Sequence, residues 1–166
     1  MDKNKKILIA GAGIGGLAAA ACLLQEGYDV EVYEQASELG EIGAGIQTSA
    51  PAVKVLHHLG LAKQMSDVSV KPQAFEFKLF DTGEVLHKVP LANTHEESHG
   101  APYYHIHRSD IHKILADRVL ELNPKSVFLN AQAIGFEETD DKVYLNLADG
   151  RKIEGDILIG ADGIKS

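Results

Sequence analysis

Residues 7–24, ILIAGAGIGGLAAAACLL, run for eighteen positions without a charge, and the structure this run adopts governs the rest of the chain. With Lys3, Lys5 and Lys6 ahead of it and Ala19-Ala20-Ala21 before Cys22, the run has the layout of an export signal, and its length would cross a bilayer. Glycine argues against both readings. Gly11, Gly13, Gly15 and Gly16 fall where a membrane helix or signal core is richest in Leu, Ile and Val, and each costs a helix about 1 kcal/mol relative to alanine. The same residues instead divide the run into a short aliphatic strand, KKILIA, a glycine turn, and a helix, GGLAAAACLLQEG, closed by Gly27.

A second strand completes the unit. YDVEVYE has a strand pattern ending in Glu34, twenty-three positions after Gly11. In such an arrangement Gly11 allows the tight turn out of the strand, Gly13 lets backbone N–H groups approach a diphosphate, and Gly16 lets the helix pack closely on the strand. The positive end of the helix then faces the phosphates, and Glu34 is placed to accept hydrogen bonds from ribose hydroxyls. A lone GxGxxG is weak evidence. Here it stands in register with Ala20 and Leu23 on the expected inner helix face, Gly27 at the helix end and Val30 in the next strand, and this combination specifies a nucleotide-binding βαβ unit.

Composition agrees. At 166 residues the chain has enough length for one modest α/β domain, and a net charge of −8 without any Lys/Arg cluster disfavours nucleic acid and anionic membranes as partners. Cys22 is the single cysteine, so no internal disulfide can form, which fits a reducing cytoplasm; on an alanine-rich helix flank it reads as an inert thiol.

Downstream, PAVKVLHHLG is an amphipathic helix stopped at Gly60, continued briefly by LAKQM. AFEFKLF, the turn DTG and EVLHKVPL alternate with period two, as an antiparallel hairpin does. NTHEESHGAP, residues 93–102, is polar and reads as a loop. YYHIH is a strand, and RSDIHKILADRVLEL a helix with Ser109 as its N-cap and Pro124 just past its end. SVFLNA and a meander over AIGFEETDDKVYLNLADGRKIEG come next, and the final strand DILIG rejoins the parallel sheet. That return places Asp162 at a strand's carboxyl end, where open α/β sheets have their ligand crevice.

Three separated segments together resemble the single-component FAD-dependent aromatic hydroxylases, the group containing 4-hydroxybenzoate, salicylate and 3-hydroxybenzoate 6-hydroxylases. They are GAGIGG through VYEQ with GEIGAGIQ after it, HRSDIH at 107–112, and the closing GDILIGADGIKS. The chain is most similar to the salicylate and 3-hydroxybenzoate 6-hydroxylase branch. The resemblance implies a Rossmann-like FAD-binding domain with a parallel sheet, a β-meander and part of an antiparallel substrate sheet, residues 70–102 being the start of a substrate-domain insertion. It also implies a fragment, because family members continue for more than this length again, and a fragment that hydroxylates nothing unaided.

The same resemblance implies roles residue by residue. Gly11, Gly13, Gly15 and Gly16 would hold the FAD diphosphate and Glu34 the adenosine ribose. Gln35 stands where the family commonly has arginine, which removes a cationic contact to the adenosine half. Gly45 would let the chain pass close to the flavin, and Gln47 would lie near the ring and substrate. A related nicotinate hydroxylase has a histidine base at the position of Gln47, and glutamine cannot take over that function, so the catalytic base is unassigned. Arg108 would reach the ribityl-phosphate region, Ala133 would touch adenosine through its backbone, and Asp162 would contact FAD and the nicotinamide cofactor. Ala52 replaces a usual asparagine. The implied reaction is hydroxylation of a small phenolic carboxylate, such as salicylate or hydroxybenzoate, with NADH or NADPH and O₂ through a flavin hydroperoxide, in a cytoplasmic protein that forms a homodimer.

Each assignment has a plainer rival. Arg108 could instead be a surface residue before a helix, although its motif context favours the functional reading, and Asp162-Gly163 could be a simple turn like Asp149-Gly150, from which only its position at the end of a hydrophobic strand separates it. His105, His107 and His112 are close in sequence, but two share a strand face and the third sits on the next helix, so no metal is expected. His57 and His58 point opposite ways and read as solvent or cap contacts. At the level of function, the alternatives are another FAD oxidoreductase of the same superfamily, an NAD-dependent dehydrogenase with Glu34 selecting NAD, or a non-catalytic nucleotide-binding module.

Overall fold

The computed structural model describes residues 3–40 and 43–164; Glu41 and Ile42 of the GEIGAGIQ segment and the closing Lys165-Ser166 lie outside the described residues. In chain order the elements are β1 (Lys6–Ala10), α1 (Ile14–Gln25), β2 (Asp29–Tyr33), β3 (Gly45–Thr48), α2 (Ala50–His58), α3 (Ala62–Val68), β4 (Ala74–Lys78) and β5 (Val85–Pro90). Then come α4 (Ala92–His99), β6 (Tyr104–His107), α5 (Arg108–Leu122), β7 (Val127–Phe128), β8 (Ala133–Glu138), β9 (Val143–Leu147), β10 (Lys152–Gly155) and β11 (Ile157–Gly160). They divide into two compact units, Met1–Glu41 with Ile111–Ser166, and Ile42–Asp110.

The first unit is built on a parallel sheet in the order β11-β1-β2-β7. Every residue of β1 after Lys6 is buried, as strands covered on both faces require. Leu8 and Ala10 point one way, into a cluster with Tyr33, Ala131, Leu145 and Leu147 that joins the sheet to the meander. Ile7 and Ile9 point the other way and are equally buried, while α1 contacts β1 and β2 through its own inner face. That face consists of Gly16, Leu17, Ala20 and Ala21, whereas Leu23 is half-buried. Ala20 lies on the expected inner face, whereas Leu23 falls at its edge and Leu17 and Ala21 complete it. The amides of Gly27 and Tyr28 close α1 onto the carbonyls of Leu24 and Leu23 at 2.9 and 3.1 Å.

The meander is antiparallel in the order β10-β9-β8. Val143, Leu145 and Leu147 are buried and alternate with half-buried Tyr144 and Asn146, as a strand covered on one face requires. SVFLNA yields two strand residues, Val127 and Phe128, with the Phe128 ring stacked on Tyr33 at 5.0 Å.

In the second unit β3 pairs antiparallel with β6, and β4 with β5. The region expected to be a loop at 93–102 contains a helix, α4. It was hidden because no residue of α4 is buried, so it carries no apolar stripe. Its fixed points are ends and charge: Gly100 N–H bonds Glu96 O at 2.7 Å, and Lys71 pairs with Glu96 at 2.9 Å. Ser109 is not an N-cap; α5 already begins at Arg108 and its first turn includes Asp110.

Candidate functional site

The glycine turn leaves β1 under tight steric control. The Gly11 N–H donates to Tyr33 O at 2.8 Å, tying the turn to β2, and Ala161 N–H donates to Ala10 O at 2.8 Å, tying β11 to the same point. Gly11 has φ +102°, and a Cβ there would stand 2.4 Å from Ala161 O. A Cβ on Gly16 would stand 2.0 Å from Gly11 O. Both positions therefore exclude any side chain, as the spacing implied.

Gly15 behaves oppositely, since a Cβ on it would meet nothing within 4 Å. Its backbone faces open space at the start of α1. Gly13 is the N-cap and contributes no side-chain cap, and the first helical bond runs from Leu17 N–H to Gly13 O at 2.9 Å. The amides of Ile14, Gly15 and Gly16 thus precede the intrahelical ladder, at the positive end of the helix. An anionic diphosphate fits this turn.

Glu34 is held rather than free. One carboxylate oxygen accepts Ala12 N–H at 2.7 Å and the other Ala36 N–H at 2.9 Å. A carboxylate has about four acceptor positions, so roughly two stay available for hydroxyl donors. The Glu34 backbone is anchored as well, its N–H to Phe128 O at 2.9 Å and its O from Ala131 N–H at 2.8 Å. Gln35 beside it is exposed.

Ala133 and Asp162 line one cleft of about 830 Å³ between the β11 side of the sheet and the meander, together with Ala10, Leu158, Phe136 and Asp156. That volume lies within the range of small-molecule sites. Asp156 is partly spoken for, because hydrogen bonds from Lys142 Nζ at 2.9 Å and Lys6 N–H at 2.7 Å hold its carboxyl below the ordinary range. Asp162 has no hydrogen-bond partner among the described residues and is exposed, in contrast to Asp149, whose carboxylate is bound by the Arg151 backbone and guanidinium and has a lowered pKa.

The second unit carries Gly45, Gln47 and Arg108. Gly45 pairs with His107, and a Cβ on it would make ordinary contact, 3.7 Å from Ile106 O. The tight approach is at Gly43, where a Cβ would stand 2.9 Å from Arg108 Cδ, so the Arg108 stem lies across this glycine. Gln47 is exposed, and its Oε1 accepts the Tyr103 hydroxyl at 2.7 Å. Tyr103 is flanked edge-on by Phe75 and His95, and burial raises its phenol pKa. His105 and His107 do not join His112 in a cluster; among the described residues no group of three His, Cys, Asp or Glu is arranged to hold a metal. No helix among them is long and apolar enough to cross a membrane. The sequence reading missed the Tyr103 contact to Gln47 and the buried contact of His112 with Ala12, because both join residues far apart in the chain.

A parallel sheet, a side-chain-free turn before a helix and a held acidic residue after the second strand define a nucleotide-binding α/β domain. The family model described as the FAD binding domain matches residues 4–166, and the chain belongs to that family. It is 39% identical over 166 residues to 3-amino-4-hydroxybenzoate 2-monooxygenase of Streptomyces cremeus, covering 100% of this chain and 41% of the relative. It is 40% identical over 163 residues to 3-hydroxybenzoate 6-hydroxylase 1 of Aquipseudomonas alcaligenes, covering 98% and 41%. Among solved structures, Klebsiella pneumoniae HpxO complexed with FAD and uric acid superposes with a TM-score of 0.80 at 32% identity, over 96% of this chain and 39% of that one. The chain thus spans about two fifths of the length of the relatives it matches.

Proposed function

We propose that this chain supplies the FAD diphosphate and adenosine contacts of an NAD(P)H-dependent monooxygenase that hydroxylates a small phenolic carboxylate. The carrying observation is the turn in which Gly11 and Gly16 admit no side chain while Gly15 opens its backbone to a ligand, with Glu34 locked beside it. FAD, when bound, supplies the redox chemistry with NADH or NADPH and O₂. The residues of this chain bind and orient it. The amides at the start of α1 take the diphosphate, the remaining lone pairs of Glu34 take the ribose hydroxyls, and the backbone near Ala133 takes the adenine side. Gln35 adds no charge there. In this reading Arg108 holds the ribityl phosphate, Asp162 meets FAD and the nicotinamide cofactor, and Gly45 and Gln47 lie along the flavin ring and substrate. The 70–102 segment begins the substrate domain.

The relatives' names support an aromatic substrate, since two of them act on hydroxybenzoates by name. The proposed setting is a cytoplasmic homodimer with no nucleic-acid or membrane partner. The test is NADH and NADPH oxidation by the complete gene product with FAD, across salicylate, the hydroxybenzoates, 3-amino-4-hydroxybenzoate and 6-hydroxynicotinate. Stimulation by one of them with a hydroxylated product is the expected result. A flavin-containing protein stimulated by none would discard the substrate class and keep the cofactor.

A further inference from the structure

Ala12 is 2% exposed and stands between Gly11 and Gly13, and both peptide groups flanking it are gripped by side chains. Its N–H is held by Glu34 at 2.7 Å. Its C=O lies 2.7 Å from His112 Nε2, a ring that is 3% exposed and a hundred residues further along the chain. A carbonyl only accepts, so Nε2 is the protonated nitrogen of this ring. His112 sits on α5, whose Ile111, Leu115, Ala116 and Val119 are buried as well.

A peptide group is planar and trans, with its C=O and N–H pointing in opposite directions. Whatever fixes the Ala12 carbonyl therefore also fixes the direction of the Gly13 N–H, in the same peptide. We infer that His112 is a positioning residue of the phosphate-binding turn, which by holding Ala12 O aims the Gly13 amide away from α5 and toward the bound diphosphate. This rests on the FAD reading above and goes beyond it, since His112 itself touches no ligand. Glu34 and His112 then act as a pair, one clamping each peptide of the turn. Neither can replace the other, because a carboxylate cannot donate to a carbonyl.

The experiment compares wild type with His112→Gln, His112→Asn and His112→Leu in the complete gene product, by equilibrium FAD binding and by cofactor-free thermal midpoint. Glutamine carries an N–H₂ at about the reach of Nε2, whereas asparagine is equally polar and too short. The expected result is FAD affinity within about threefold of wild type for the glutamine variant and weakened about tenfold or more for the other two. Equal affinities in the glutamine and asparagine variants would overturn the inference. Long-range ¹H–¹⁵N spectra of the cofactor-free wild type give a reading that requires no variant to fold: the account expects a protonated Nε2, and an unprotonated Nε2 overturns it. A wild type that takes up no FAD would instead remove the flavin reading, while the tautomer would still report on the clamp.

Discussion

The β1–β2 layer and the β4–β5 hairpin have similar strand lengths and opposite internal economies. In β1 each residue after Lys6 is buried, and the turn beyond it has no room for a methyl group at two positions. In β5 all six residues are exposed, and Phe77 of β4 and Leu86 of β5 stand 58% and 62% exposed. The first region is constrained from within by neighbours on both faces. The second is held mainly by its own ladder and by ion pairs of Glu76 with Lys78 and Lys88 at 3.0 and 2.8 Å. Constraint in this molecule is concentrated where the nucleotide turn is built.

The largest effect that could break this contrast is expected at Gly16. Its Cβ would collide with backbone rather than a flexible side chain, so Gly16→Ala should cost about 3 kcal/mol or more, or leave insoluble protein, in a denaturant titration. Gly15→Ala, one residue away, should leave the fold intact and weaken FAD about tenfold by covering the open amides. Equal stability losses at both glycines would contradict the division between packed and open faces of the turn.

Glu34→Gln comes next. It keeps an acceptor but turns one end of the side chain into a donor facing an amide, so stability should fall by about 1 kcal/mol by chemical denaturation, with a larger loss in FAD binding. In the hairpin, Phe80→Ser should change stability by less than about 0.5 kcal/mol, because Phe80 is 100% exposed. A cost comparable to that at Glu34 would mean the hairpin is as constrained as the sheet.

The smallest effect is a titration. Hydrogen bonds from Lys88 and Lys78 pull the Glu76 carboxyl down to about 2 from an ordinary 4.5. A depressed folded-state pKa means the stabilisation is fully present above about 4.5 and is lost as pH falls through about 2. NMR titration should show that low midpoint, and added salt should move it upward because the group is exposed. A midpoint at the ordinary value in low salt would show that these ion pairs do not persist in solution.

Much of the nucleotide layer was legible because its determinants are local. Gly11, Gly16 and Glu34 announce themselves by spacing within one βαβ unit, and the run AIGFEETDDKVYLNLADGRKIEG was read as the meander that β8, β9 and β10 form. What could not be read is long-range or lacks an apolar signature. Helix α4 has no buried face, so polarity hid it. On α1 the expected Ala20 is buried, but Leu23 is only half-buried and Leu17 and Ala21 complete the inner face. His112 drew notice as a member of a histidine cluster, but its partner is the Ala12 carbonyl, which no side-chain pattern encodes.

The central claim is that the open face of the glycine turn holds FAD. Its most direct test is equilibrium dialysis of FAD against the complete wild-type gene product and its Gly15→Ala variant, after confirming that both are equally folded. The account predicts one FAD per wild-type chain and about tenfold weaker binding by the variant. Undiminished binding by an equally folded variant would show that the diphosphate lies elsewhere, and no uptake by wild type would contradict the cofactor assignment itself.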